Sequence, residues 1–174
     1  MKYFVIDDGY FEGHVSLEHG DGWVRPWRLP FHELDLFTES QGGLIDRARE
    51  SAGVRLRCAT NATEIEIDFL PPATAPFNPE HTLDLIVESG PVHTVQIAAG
   101  ATTARFEGLA SGDRVVEIWL PHDSGIELTG MRLTRGAFCR VAPDPRPRWI
   151  TYGNYRLPCF AAVRWIRSVR HGLA

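Results

Sequence analysis

The chain has 174 residues, of which 44% are hydrophobic and 23% charged, and a formal net charge of −4. That composition suits a globular chain with one core and an appendage, and the length is short for two complete domains. No apolar run approaches the roughly 20 residues of a membrane span, and the arginines are scattered rather than gathered in a stripe, so neither a membrane nor a nucleic acid is expected as partner.

In chain order, the first residues are Met1-Lys2-Tyr3-Phe4-Val5-Ile6-Asp7-Asp8. Two carboxylates come too early for a secretory signal, which leads to the expectation of a cytoplasmic protein. Asp7, Asp8 and Glu12 around Gly9 are the one carboxylate group worth testing as a calcium site, but their spacing matches no established loop, and no metal or other cofactor is expected. His14 and His19, with Glu18 between them, lack helical ligand spacing. Trp23 and Trp27 follow, interleaved with Arg25 and Arg28. Gly43 to Ser51 is the only stretch in the first 142 residues that reads as helical, for one or two turns.

A period of two then dominates. Val54-Arg55-Leu56-Arg57-Cys58 and Thr63-Glu64-Ile65-Glu66-Ile67-Asp68-Phe69 both alternate strictly, as half-buried strands do. Folding them as a hairpin about Thr60-Asn61 sets Arg57 opposite Glu64 and Arg55 opposite Glu66, with Leu56 and Val54 facing Ile65 and Ile67. In that reading the Asn61-Ala62-Thr63 sequon is a turn rather than a glycosylation site. Further alternating runs cover 82–88, 92–97, 104–107, 114–120 and 126–133, most of them separated by turn-forming residues such as Ser89-Gly90-Pro91 and Ala110-Ser111-Gly112-Asp113. Short strands at regular spacing predict an all-β, jelly-roll-like antiparallel sandwich over residues 1–142.

In the run 114–120, Val116, Ile118 and Leu120 share one face, which leaves Trp119 on the other, a step before His122. Sugar-binding sandwiches stack rings on exposed tryptophans, so Trp27, Arg28, Trp119 and His122 are the candidate ligand-binding residues; core packing is the competing role for both tryptophans. His122-Asp123-Ser124 holds the three residue types of a hydrolytic triad, but consecutive residues cannot adopt its geometry. Cys58, Cys139 and Cys159 are odd in number and widely spaced, and read as free thiols.

The composition changes at Ala142-Pro143-Asp144-Pro145-Arg146-Pro147-Arg148, where alternate prolines predict a linker over 143–148. Beyond it, 149–174 reads as a strand ending at Gly153, then a short helix over 159–171 with an arginine row on its solvated face.

Five ordered segments carry a family resemblance: Arg28-Leu29-Pro30, Ser51 to Arg57, Thr60 to Ile67, Val116 to His122, and Arg146-Pro147-Arg148-Trp149-Ile150-Thr151-Tyr152-Gly153. Over residues 1 to 153 the chain resembles the N-terminal part of the two-domain SGNH/GDSL-type esterases and acyltransferases common in actinobacteria. The resemblance implies a jelly roll like a carbohydrate-binding module, followed by the first strand of a catalytic domain. The family places its nucleophilic serine two residues after the glycine that ends this strand; here Gly153 is followed by Asn154, Tyr155 and Arg156, so Tyr155 stands at the nucleophile's position. A phenol that ordinarily titrates near pH 10 is a poor nucleophile without a dedicated base. No aspartate has a histidine three positions later, as the family's base motif requires. The expectation is therefore a non-catalytic accessory module, cut short where the catalytic domain begins, contacting a carbohydrate, an acyl substrate or another small molecule. The alternatives are a stand-alone carbohydrate-binding protein and an SGNH-type esterase or acyltransferase with an atypical site. A homodimer is expected if the surface a catalytic domain covers is apolar and open.

Overall fold

In the computed structural model, which describes residues 1–37, 43–71, 81–88 and 90–147, the seven alternating runs and five further segments give twelve strands. These are β1 (Lys2–Phe4), β2 (Phe11–Glu12), β3 (Ser16–Gly20), β4 (Trp23–Trp27), β5 (Arg55–Thr60), β6 (Ile65–Phe69), β7 (His81–Val87), β8 (Val92–Ile97), β9 (Thr103–Phe106), β10 (Arg114–Trp119), β11 (Leu128–Leu133) and β12 (Cys139–Val141). The one α-helix among the described residues, α1 (Leu44–Arg49), falls inside the stretch where helix is expected. Short 3-10 turns at Asp8–Tyr10 and Phe31–Leu36 carry no comparable sequence signal.

Sheet one has the order β3-β4-β11-β6-β9, with β1 also on β11; sheet two has the order β12-β5-β10-β7-β8, with β2 also on β5. The eight strands β4 to β11 therefore give two four-stranded sets, 4-11-6-9 and 5-10-7-8. That is the jelly-roll order, so the all-β sandwich is as expected. Every strand pair among the described residues is antiparallel.

The inner faces follow from the period. Leu56 and Cys58 of β5, Ile65, Ile67 and Phe69 of β6, Leu83 and Leu85 of β7, and Val116 and Ile118 of β10 are all buried in one core. Each such aliphatic side chain contributes about 1.5–3 kcal/mol by leaving water.

The proposed hairpin of β5 with β6 is not formed. These strands lie in opposite sheets, and Asn61 to Glu64 carries the chain across the core's edge. The charges find other partners: Arg57 stands opposite Glu117 on β10, and Glu66 stands between Arg132 on β11 and Arg105 on β9. The reason is general. Alternation fixes which face a residue occupies but not which strand lies beside it, and any alternating strand with acids satisfies any alternating strand with arginines. Asn61 is spent within this crossing, its Oδ1 accepting the Phe138 amide at 3.1 Å.

The hairpin β3–β4 turns at Asp21-Gly22, where Gly22 has φ +76°. Gly20 is required for a different reason: a Cβ there lies 2.1 Å from the Trp23 indole, which covers this position.

Met1–Pro143 forms one compact unit. Of the residues after it, 144–147 are described; within them the Asp144 carboxylate accepts from the Arg146 amide at 3.0 Å and from its Nε at 2.8 Å. The expected strand at 149–153, the helix at 159–171, Tyr155 and Cys159 lie outside the described residues. No helix among the described residues is long and apolar enough to cross a membrane.

Candidate functional site at one end of the sandwich

Antiparallel pairing decides which connections share an end. β4 runs into the connection 28–54, and β10 runs into the connection 120–127; both leave the sandwich at the end where β5 begins. The backbones meet there, since the Ser51 amide donates to the Ser124 carbonyl at 2.9 Å and the Leu120 amide to the Val54 carbonyl at 3.0 Å. All four candidate residues therefore belong to one end, but they occupy different surroundings.

Trp27 is 2% exposed. Its Nε1 donates to Glu18 Oε2 at 2.9 Å, Phe31 packs 5.6 Å from its ring, and the Arg49 guanidinium lies 5.4 Å over it. A stacking platform needs an open face, and this ring has none. Arg28 binds the protein itself: its amide donates to the Ala48 carbonyl, its Nη2 to the Arg47 carbonyl, and the same nitrogen is 3.7 Å from Glu50. It ties the start of the 28–54 connection to the last turn of α1.

Trp119 is the last residue of β10, half-buried on the outward face of sheet two, with Arg55 and Asp84 as its cross-strand neighbours. The Arg55 guanidinium lies 4.9 Å over its ring, a cation–π contact that fixes the indole from one side. Arg55 is itself held by Glu12 at 2.6 Å and Glu117 at 3.3 Å, and Glu117 reaches Arg57 at 3.5 Å. This ion network is shielded, with the four side chains between 10% and 15% exposed. Trp119 Nε1 is buried without a hydrogen-bond partner among the described residues.

His122 is half-buried in the 120–127 connection. Its neighbour Asp123 contacts Nδ1 of His81 at 3.1 Å, a buried histidine at the start of β7 that periodicity alone gave no reason to single out. The Ser124 hydroxyl is buried and has no hydrogen-bond partner among the described residues. His122, Asp123 and Ser124 are thus not joined into a relay.

The three N-terminal carboxylates are likewise used apart. Asp7 accepts the Gly9 amide at 3.0 Å, Asp8 lies 3.2 Å from His19, and Glu12 holds Arg55. Among the described residues no group of three or more histidine, cysteine, aspartate or glutamate side chains is arranged to bind a metal. Two arginines are electrostatically perturbed near sheet one: burial pulls Arg25 below its ordinary value against the opposing pull of Glu18, and the hydrogen bond to Asp68 pushes Arg132 up.

A jelly roll with crowded inner faces and an elaborated end matches the N-terminal domain of two-domain SGNH-type enzymes. The family model described as the SsfX3 N-terminal domain matches residues 10–128, and the chain belongs to that family. Among solved structures, the salicylyl-acyltransferase SsfX3 from a tetracycline biosynthetic pathway is 30% identical with a TM-score of 0.76, over 87% of this chain and 44% of that one. A GDSL-like lipase from Bacteroides ovatus ATCC 8483 is 16% identical, TM-score 0.57, over 78% of this chain and 41% of that one. A family two carbohydrate esterase from Cellvibrio japonicus is 14% identical, TM-score 0.53, over 82% and 36%. The last two share the fold. The chain spans less than half the length of each of these three. No curated protein sequence matches it.

Proposed function

We propose that this domain is the non-catalytic accessory module of a GDSL-type acyltransferase or esterase, and that it works through the end carrying Trp119 and His122. The observation behind this reading is the direction of β12. It pairs with β5 so that Cys139 faces Thr60 and Val141 faces Cys58, hence the chain runs from the far end of β5 back toward Arg55. Arg57 takes the carbonyl of Ala142 on the way. The strand that leads onward thus points to the end where Trp119, His122 and Asp123 are gathered. There the module shapes the approach to the reacting acyl group rather than performing the chemistry.

Tryptophan fluorescence during titration with short-chain aryl esters and a panel of glycans tests this reading. A saturable change that is lost in Trp119→Ala, without ester turnover, supports it. Turnover that survives both Tyr155→Phe and His122→Ala, or a response unaltered by Trp119→Ala, overturns it. A stand-alone carbohydrate-binding protein is the second reading, since one face of the Trp119 indole is backed by Arg55 and the ring is only half-buried. It requires the response to be confined to the glycans.

A further inference from the structure

Three titratable side chains that no ion pair uses meet at one edge of sheet two. β2 and β12 both add to the free edge of β5, β2 over Leu56 and Arg55, β12 over Thr60 to Cys58. Because Cys139 faces Thr60 and Val141 faces Cys58, the two thiols are diagonal neighbours on adjacent strands. Tyr10, at the end of the turn just before β2, is buried beside them. The Cys58 thiol and the Tyr10 hydroxyl both lie within electrostatic reach of the Cys139 sulfur. Cys58 is buried and Cys139 is partly exposed.

Two protonated groups beside one sulfur favour its thiolate. The hydrogen bond from Cys58 holds the Cys139 thiol below its ordinary value, with Tyr10 assisting and burial opposing. The Cys58 thiol is pushed far up, by the same hydrogen bond and then by burial, and burial raises Tyr10. A partly exposed thiol whose thiolate is favoured, next to a protonated partner thiol, is the arrangement that reacts with peroxides and then resolves internally.

We propose that Cys139 and Cys58 form a peroxide-responsive dithiol that staples the last strand of the sandwich to β5. In the first step the Cys139 thiolate attacks hydrogen peroxide; an S–O bond forms, the O–O bond breaks, sulfur is oxidised, and hydroxide leaves. In the second step the Cys58 sulfur attacks the Cys139 sulfenic acid, an S–S bond forms, and the hydroxyl leaves as water with the Cys58 proton. Diagonal neighbours stand about 7–8 Å apart, at or just beyond the separation of about 7 Å between Cα atoms that a bridge tolerates. Closing the bridge therefore requires the short last strand to shift toward β5, which makes the product readily reducible and the step reversible by a dithiol.

The test uses the whole chain carrying Cys159→Ser, so that only the pair can react. It is treated folded with hydrogen peroxide, then unfolded in excess alkylating agent and mapped by mass spectrometry. Loss of both free thiols, with a Cys58–Cys139 cross-linked peptide that dithiothreitol removes, supports the proposal. In Cys58→Ser the first step stops at a Cys139 sulfenic acid that dimedone traps, and Tyr10→Phe slows oxidation several-fold while leaving the product unchanged. Complete alkylation of both cysteines after peroxide overturns the proposal, as does over-oxidation of Cys139 with no cross-link. Treatment of the Cys159→Ser chain with diamide forms the same bridge without any cavity-making substitution, and failure of both oxidants to form it is decisive against it.

Discussion

At one end of the sandwich the crossings at 61–64 and 107–113 are short and densely hydrogen-bonded, the buried Nε of Arg114 being left without a partner among the described residues. The Thr134 hydroxyl accepts the Thr63 and Glu64 amides at 3.2 and 2.9 Å, Thr60 donates to the Phe138 carbonyl at 2.7 Å, and Arg114 donates to the Gly112 and Ala62 carbonyls. At the other end the connections 28–54 and 120–127 are elaborate, and the buried hydroxyls of Ser51 and Ser124 and the indole nitrogen of Trp119 have no partner among the described residues. A buried polar group left unpaired lowers stability. The contrast separates an end built for stability from one whose polar groups remain available for another use.

Substitutions sharpen that contrast in a ranked order. Ile118→Ala, in the fully buried middle of β10, belongs to neither end and is expected to cost about 2–5 kcal/mol in chemical denaturation. Arg55→Met removes the cation that Glu12 and Glu117 share in a shielded site, with Arg57 still 3.5 Å from Glu117, and is expected to cost about 3 kcal/mol. Thr134→Val strands two amides at the densely bonded end and is expected to cost about 1–3 kcal/mol. His122→Ala, at the elaborate end, is expected to change stability by less than about 0.5 kcal/mol while altering ligand-dependent fluorescence. A loss at His122 as large as that at Thr134 breaks the distinction between the two ends.

The thiol pair adds a pH dependence with a definite sign. A raised value in the folded state means that the protonated form is the stabilised one, so the Cys58 contribution is intact below the ordinary thiol value of 9.0 and declines as pH rises past it. Tyr10 acts in the same direction from its ordinary value of 10.0 upward. Cys139, lowered in the fold, contributes the opposite slope, but only below 9.0. Stability measured by urea titration is therefore expected to fall above pH 9, by up to about 1.4 kcal/mol per pH unit for Cys58 alone. Cys58→Ala removes that slope, whatever it does to stability at neutral pH.

Much of the core is legible in the sequence. Alternation puts Val54, Leu56, Cys58, Ile65, Ile67, Phe69, Val116, Ile118 and Leu120 on inner faces, and all are buried. Pairing is not legible, because β5 and β6 have interchangeable charge patterns and the choice between them is made by the whole sandwich. β4 is obscured by Pro26 in its interior, a residue that ordinarily argues against a strand. The site shows the same division. Alternation places Trp119 on the outward face, and it is half-exposed there. Trp27 shares its face of β4 with Trp23 and Arg25, yet Phe31 and Arg49 from the following connection fold over it, a contact that no local pattern encodes. His81 and Asp123 are 42 positions apart and meet only because β7 and β10 are neighbours.

The chain's first strand also sets a schedule for its own synthesis. Tyr3 of β1 pairs with Arg132 of β11, and Phe11 of β2 shares the β5 edge with Cys139 of β12. On a ribosome adding about 5–20 residues per second, Tyr3 waits on the order of ten seconds for its partner, with its backbone donors unmatched. Sheet one cannot be completed until the chain has been made past residue 133, nor the edge of sheet two until past 141. The nascent sandwich therefore matures late and almost at once, and for most of its synthesis it depends on remaining unpaired rather than on pairing early with the wrong alternating strand.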